Sequence, residues 1–258
     1  NTDKVKAFNN AVAAYYAATT KTAKENALEA VGEQAEGLGL KRWVKGEADE
    51  FVKGFAEQYY LPALRERDTS DVSKIQAIVD DVNLGVLAEL VETAEADPRV
   101  KATYNGETVV NARKILSEYT DGAGFVEDFA DILNEYELRL NVAEWLSYVL
   151  NAQPSEVIEK LTMEVKDGGG KVVVELKNVI AVPSDTELEG KLGLAYAEAM
   201  AKLKGAVTVA QVEAAVSAVN AAALQAAIEA VLEATKADDV VKELKVLQHI
   251  AGSEVMTA

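Results

Sequence analysis

Five times this chain sets a large apolar residue before an Asn and further large apolar residues four and eight positions after it. The runs are Val82-Asn83-Leu87-Val91, Val110-Asn111-Ile115-Tyr119, Leu133-Asn134-Leu138-Val142, Leu140-Asn141-Trp145-Val149 and Val219-Asn220-Leu224-Ile228. With large apolar residues at about one third of positions, the twelve Asn should give roughly half an occurrence by chance. Spacings of four and eight place those side chains about one turn apart along one face of a helix. Asn is a favoured N-cap, and apolar residues just before the cap and in the first helical turn close a hydrophobic staple. The pattern therefore predicts repeated helix starts, with Asn134 too near Asn141 for both to begin long helices. Val207-Thr208 with Gln211, and Pro183-Ser184 with Glu187, predict two more, each written as a capping box.

Helical periodicity runs from residue 3 to 159, cut by Gly37-Leu38-Gly39, Asp97-Pro98, Asn105-Gly106 and Asp121-Gly122. It predicts helices over 3–18, 22–36, 47–66, 71–82, 84–96, 108–119, 124–140, 141–151 and 155–160, with Pro62 kinking or ending the third. At Leu161 the period changes to two. Leu161, Met163 and Val165 alternate with polar residues, Asp167-Gly168-Gly169-Gly170 turns the chain, and a β-branched run follows to Pro183. This predicts a β-hairpin over about 161–182. Helices then resume over 184–204, 208–219, 220–236 and 238–250. The expected fold is mainly α, an array or bundle of short antiparallel helices with one inserted β-hairpin. The regions expected are 1–67, helical, charge-balanced and rich in aromatic and basic residues; 68–160, helical repeats; 161–182, the hairpin; and 183–258, Ala-rich helical hairpins, in one or two compact domains.

Charge and cysteine usage narrow the function. The net charge of −17 opposes binding to DNA or RNA, which needs a basic footprint. Residues 1–67 hold ten basic and ten acidic side chains, so the rest of the chain carries the whole imbalance. There is no Cys, hence no disulfide framework, thiol nucleophile or thiolate metal site. No run approaching 18 apolar residues is evident, so no membrane insertion is expected. The expected location is extracellular, at the cell surface or in the cell wall.

Chemical motifs fail on inspection. Asp167-Gly-Gly-Gly-Lys171 lacks the Ser or Thr and the following helix of a phosphate loop, and Gly37-Leu38-Gly39 lacks a dinucleotide site's strand and third glycine. His249 has no nucleophile or second His beside it. Glu135, Glu137 and Glu144 are close in sequence, as glycoside hydrolysis would need, but Glu144 reads better as the third residue after an Asn141 cap. No catalytic residue and no cofactor are expected. Asp80-Asp81 and Asp238-Asp239 match no Ca²⁺ loop and read as helix-start or solvated acids, leaving Ca²⁺ between acidic surfaces of neighbouring molecules as the metal expectation.

Two segments break the helical grammar and are the expected contact regions. In the first, Tyr15, Tyr16, Trp43, Tyr59 and Tyr60 occur with Lys41, Arg42 and Lys45, offering stacking faces and anion-binding donors to an acidic cell-wall polysaccharide. In the second, Val172, Val173, Val174 and Leu176 form a strand edge on which a second chain could pair.

The stretch Ala218-Val219-Asn220-Ala221-Ala222-Ala223-Leu224-Gln225-Ala226-Ala227-Ile228 resembles the Val-Asn-Ala-Ala helical repeats of surface-layer and other wall-associated proteins of Gram-positive bacteria, and Val82-Asn83 to Glu92 echoes it. The resemblance covers about a fifth of the chain and implies a helical region that meets cell-wall polymer, followed by self-assembling domains. The chain departs from that family in showing neither a surface-layer homology domain nor immunoglobulin-like strands. The function expected is a noncatalytic extracellular structural protein that assembles with itself, such as a surface-layer component. The alternatives are a binding module for an anionic wall glycan and an intracellular helical scaffold.

Overall fold

The computed structural model describes residues 2–44, 54–103, 106–120, 127–180 and 186–252. It is mainly α with one two-stranded antiparallel sheet, as the periodicity predicts. The chain divides into two compact units: Asn1–Leu90 with Val110–Leu133, and Val91–Val109 with Asn134–Ala258.

In order, the helices are α1 (Thr2–Ala17), α2 (Lys21–Leu38), a π turn (Ala56–Tyr60) running into α3 (Leu61–Glu66), α4 (Val72–Ala96), α5 (Pro98–Thr103) and α6 (Glu107–Thr120). A 3-10 turn (Glu127–Phe129) leads into α7 (Ala130–Asn151), which is followed by α8 (Val157–Leu161). Strands β1 (Val165–Lys166) and β2 (Val172–Val174) come next, then α9 (Glu187–Lys202), α10 (Val209–Glu233) and α11 (Ala237–Ala251).

Local chemistry accounts for the ends. Thr20 caps α2 by accepting from the Ala23 N–H, and Gly39 closes it in the left-handed region at φ 70. Thr208 forms the predicted capping box with Gln211. Ser184 lies outside the described residues; the side chain that caps α9 is Thr186, accepting from the Glu189 N–H. Pro62 does not end its helix. It sits in the first turn of α3, directly after the π turn, where its missing N–H removes no α-type bond.

The largest departure from expectation lies at the Asn positions. Residues 71–82 and 84–96 form one 25-residue helix, and 208–219 with 220–236 form another of 25 residues. The predicted helices 124–140 and 141–151 merge into a single 22-residue helix, Ala130–Asn151, and residues 124–126 lie outside the described residues. Asn83, Asn111, Asn134, Asn141 and Asn220 all lie inside helices, so none is an N-cap. The apolar spacing was a true helical signal, but each Asn lies within a helix, at its twelfth residue for Asn83, Asn141 and Asn220 and its fifth for Asn111 and Asn134.

The first unit's core gathers Phe8, Phe55, Tyr60, Ile75, Leu87 and Ile115. The second packs Trp145, Leu161, Ile180, Tyr196, Met200 and Val212. The hairpin is much shorter than the predicted β run. Val165 pairs with Val174 and Lys166 with Val172 across a register irregularity, and Val165 and Val174 face the helical core. Its turn is held by Asp167, whose Oδ1 accepts from the N–H groups of Gly169 at 3.0 Å and Lys171 at 2.9 Å, with Gly170 at φ 81.

Candidate functional site

The buried Asn residues are used in a device that occurs twice. In the first unit the Tyr60 hydroxyl donates to Asn83 Oδ1 at 2.6 Å and accepts from the Val44 N–H at 3.0 Å. Asn83 Nδ2 donates to the Arg42 carbonyl at 2.7 Å. In the second unit the Tyr196 hydroxyl donates to Asn220 Oδ1 at 2.5 Å and accepts from the Ile180 N–H at 3.2 Å, while Asn220 Nδ2 donates to the Asn178 carbonyl. Each lock ties a helix (α4 or α10), a preceding Tyr and a three-residue non-helical segment (42–44 or 178–180). Burial pushes both phenols up from their ordinary value, more strongly at Tyr60, so each stays a protonated donor.

The two locks are copies of one arrangement. Residues 42 and 178, 44 and 180, and 60 and 196 stand 136 apart, and Asn83 and Asn220 stand 137 apart. Each Asn is the twelfth residue of a 25-residue helix. The residue before each helix caps it, Asp71 accepting from the Lys74 N–H at 3.0 Å and Thr208 from the Gln211 N–H. The side chains flanking the lock also correspond. Arg42 makes a two-pronged pair with Asp80 at 2.7 and 2.8 Å, and at the same places Asn178 donates to Ser217 Oγ at 2.8 Å. Asn141, the twelfth residue of α7, grips the Lys166 carbonyl at 2.8 Å in a partial third version. The Val-Asn pattern was the signal for this device, but a sequence offers no sign of which carbonyl an Asn will hold.

The expected glycan residues occupy mixed environments. Trp43 is buried, stacked on Tyr60 with ring centroids 4.3 Å apart and edge-on to Phe8. Tyr60 is fully buried in the lock and Arg42 is committed to Asp80, so these three do not form a stacking platform. Tyr15 is buried and donates to Glu57, and burial together with that carboxylate pushes its phenol up to about 12. Tyr59 is half-buried, Lys41 is exposed, and Lys45 lies outside the described residues. Tyr16 is exposed, with the Arg65 guanidinium 4.5 Å from its ring centre. A cleft of about 420 Å³ lies between the ends of α1 and α2, lined by Tyr15, Thr20, Lys21, Lys24, Glu25 and Glu57.

Among the strand-edge residues, Val172 and Val173 are exposed, whereas Val174 and Leu176 belong to the core. The edge is therefore half the size expected. The acidic residues are engaged too. Asp80 is neither at a helix start nor solvated, since it is buried against Arg42 in mid-helix, and Asp81 pairs with Arg67 at 2.7 Å. Asp238 and Asp239 do stand in the first turn of α11. Glu135 pairs with Arg139, and Glu144 accepts from the Tyr148 hydroxyl from within α7, where it has no capping role. Among the described residues no three His, Cys, Asp or Glu side chains group as metal ligands.

Helices α9, α10 and α11 line an open groove of about 700 Å³ walled by Leu192, Ala199, Ala222, Ala226 and Ile250, with Lys191, Glu198, Lys202 and Glu243 among its lining residues. Helix α10 is also long and apolar enough to cross a membrane by length and composition, with an 18-residue window of mean hydropathy 1.5. Its apolar run is not continuous in the sequence, because Gln211, Glu213, Ser217, Asn220, Gln225 and Glu229 interrupt a stretch otherwise made of Ala, Val, Leu and Ile. In comparisons with known proteins, no family model, no curated protein and no solved structure matches the chain.

Proposed function

We propose that this chain is a noncatalytic structural protein of the cell surface that assembles with copies of itself, as a surface-layer component does. The duplicated lock supports this reading. The buried Tyr hydroxyls, Asn amides and neighbouring carbonyls that could otherwise face a substrate are spent on one another, twice, in the same geometry. Repetition of one helical unit serves architecture, because each copy presents similar faces for packing. Electron microscopy of the purified chain, with and without Ca²⁺, tests it. Ordered oligomers or arrays are expected, and monodisperse single particles under both conditions would refute it.

A second reading, an anionic wall-glycan site, is favoured by the cleft beside Tyr15 with Lys21 and Lys24 on its wall and exposed Tyr16 nearby. Titration of wall polymer against wild type, Lys24→Ala and Tyr16→Ala tests it. Binding by wild type that both variants weaken supports the site, and an absence of wild-type binding removes it.

A further inference from the structure

The correspondence between α4 and α10 exposes one difference. Seven of their 25 aligned residues are identical, and their burial follows the same rhythm: Ile75 and Val212, Val79 and Val216, and Asn83 and Asn220 are all buried. The two differ most along one stripe, with lesser differences where buried Ile78, Val86 and Ala94 match half-buried Ala215, Ala223 and Val231. On α4 it runs Asp80, Leu84, Leu87, Val91 and Glu95; Asp80, Leu87 and Val91 are buried and Leu84 and Glu95 half-buried. Tyr119 of α6 donates to the Asp80 carbonyl at 3.1 Å, and Arg139 of α7 holds Glu95 at 2.7 Å. On α10 the matching residues are Ser217, Ala221, Leu224, Ile228 and Leu232. Ile228 is 43% and Leu232 79% exposed. A stripe that helices of this chain cover in one copy of the repeat is uncharged in the other and, apart from half-buried Leu224, exposed.

We propose that this stripe is covered by the same stripe of a second copy, with the two α10 helices antiparallel about a two-fold axis. The proposal rests on the self-assembling reading above and specifies its contact face. The sequence of the stripe argues for the occupant. Reversal about the point between Leu224 and Gln225 sets Ser217 opposite Leu232 and Ala221 opposite Ile228, so Ile228 and Leu232 each meet a small side chain while the two Leu224 meet at the axis. No residue of the stripe is charged, in a chain whose net charge is −17. A self-complementary patch of this kind is what an isologous dimer requires. The seam is short, at the small end of specific interfaces (below about 1,200 Å²), so a weak dimer is expected.

The test uses the whole chain at about 100 µM, where a weak dimer is populated. Sedimentation equilibrium should show dimer for wild type and for Leu194→Glu, an exposed apolar residue on α9 outside the stripe, and monomer for Leu232→Glu with unchanged circular dichroism. The chain has no Cys, so cross-linking is free of background. Ala221→Cys with Ile228→Cys should give a disulfide-linked dimer on oxidation. Either substitution alone should not, because antiparallel helices separate a residue from its own copy by about 10 Å along the axis. Cross-linking by the single variants would mean a parallel or different pairing and overturn the proposal. Oligomers unaffected by Leu232→Glu would overturn it while leaving self-assembly intact. A wild-type monomer at this concentration would overturn both. A wild-type chain that stays monomeric yet floats with phosphatidylcholine vesicles would assign the stripe to a membrane instead.

Discussion

A Tyr hydroxyl buried in the lock receives one hydrogen bond and gives another, so removing it orphans two groups at once. Tyr60→Phe leaves Asn83 Oδ1 and the Val44 N–H without their partner, and Tyr196→Phe does the same to Asn220 Oδ1 and the Ile180 N–H. Each substitution should cost about 1–3 kcal/mol in urea unfolding, the range for an unsatisfied buried group. A loss within experimental error would show that the hydroxyls contribute nothing. The same phenols make stability depend on alkaline pH. Their folded pKa values lie above the unfolded value, so the contribution is complete below pH about 10 and is lost as pH rises beyond it. Tyr60→Phe should flatten that fall, as read by unfolding at successive pH values. Gly193 offers an independent check. A Cβ there would sit 2.2 Å from the Pro154 carbonyl oxygen, a backbone atom, so Gly193→Ala should destabilise by about 1–3 kcal/mol by thermal unfolding. At this scale the sequence was half legible. The Asn residues stood out, but a cap and a mid-helix clasp use the same side-chain atoms, and only the distant carbonyl that each Asn holds decides between them.

Elements were more legible than their joints. Among the described residues nearly every predicted helical segment is helical, because a 3.6-residue apolar period states its secondary structure without reference to anything distant. The cuts placed at Asn were wrong for a physical reason: the cost of a mid-helix Asn is repaid by tertiary hydrogen bonds that lie 40 or more positions away in the chain. The hairpin shows the opposite fault. Its β-branched run predicted strand as far as Val182, yet pairing stops at Val174 because Tyr196 and Asn220 capture the backbone of residues 178 and 180. The two faces of β2 therefore differ, and substitution should separate them. Val174→Asp puts a charge into the core and should cost about 2–4 kcal/mol, whereas Val173→Asp, on the exposed side, should change stability by less than about 0.5 kcal/mol. Equal costs would place both residues in the core. Of the expected glycan residues, Trp43 and Tyr60 are turned inward on similar grounds, since aromatic composition does not say which ring faces inward, and the two stack on each other.

For the whole molecule, the deciding quantity is a net charge of −17 set against uncharged apolar contact surface. Two copies repel over distances up to the Debye length, about 10 Å at 0.1 M salt, while burial of Ile228 and Leu232 is indifferent to ionic strength. Association through such a face should therefore tighten as salt is added. An association held by ion pairs would weaken instead, so the sign of the salt dependence discriminates between them. Sedimentation equilibrium between about 20 and 500 mM NaCl should show the dissociation constant falling several-fold, in line with screened like-charge repulsion. Ca²⁺ extends the same measurement. If it acts only by screening, CaCl₂ and NaCl matched in ionic strength will give the same constant. If it bridges carboxylates of neighbouring copies, CaCl₂ will give the tighter one, and replacing Asp238 and Asp239 of the first turn of α11 with Asn will remove any part of that excess that those two carboxylates supply.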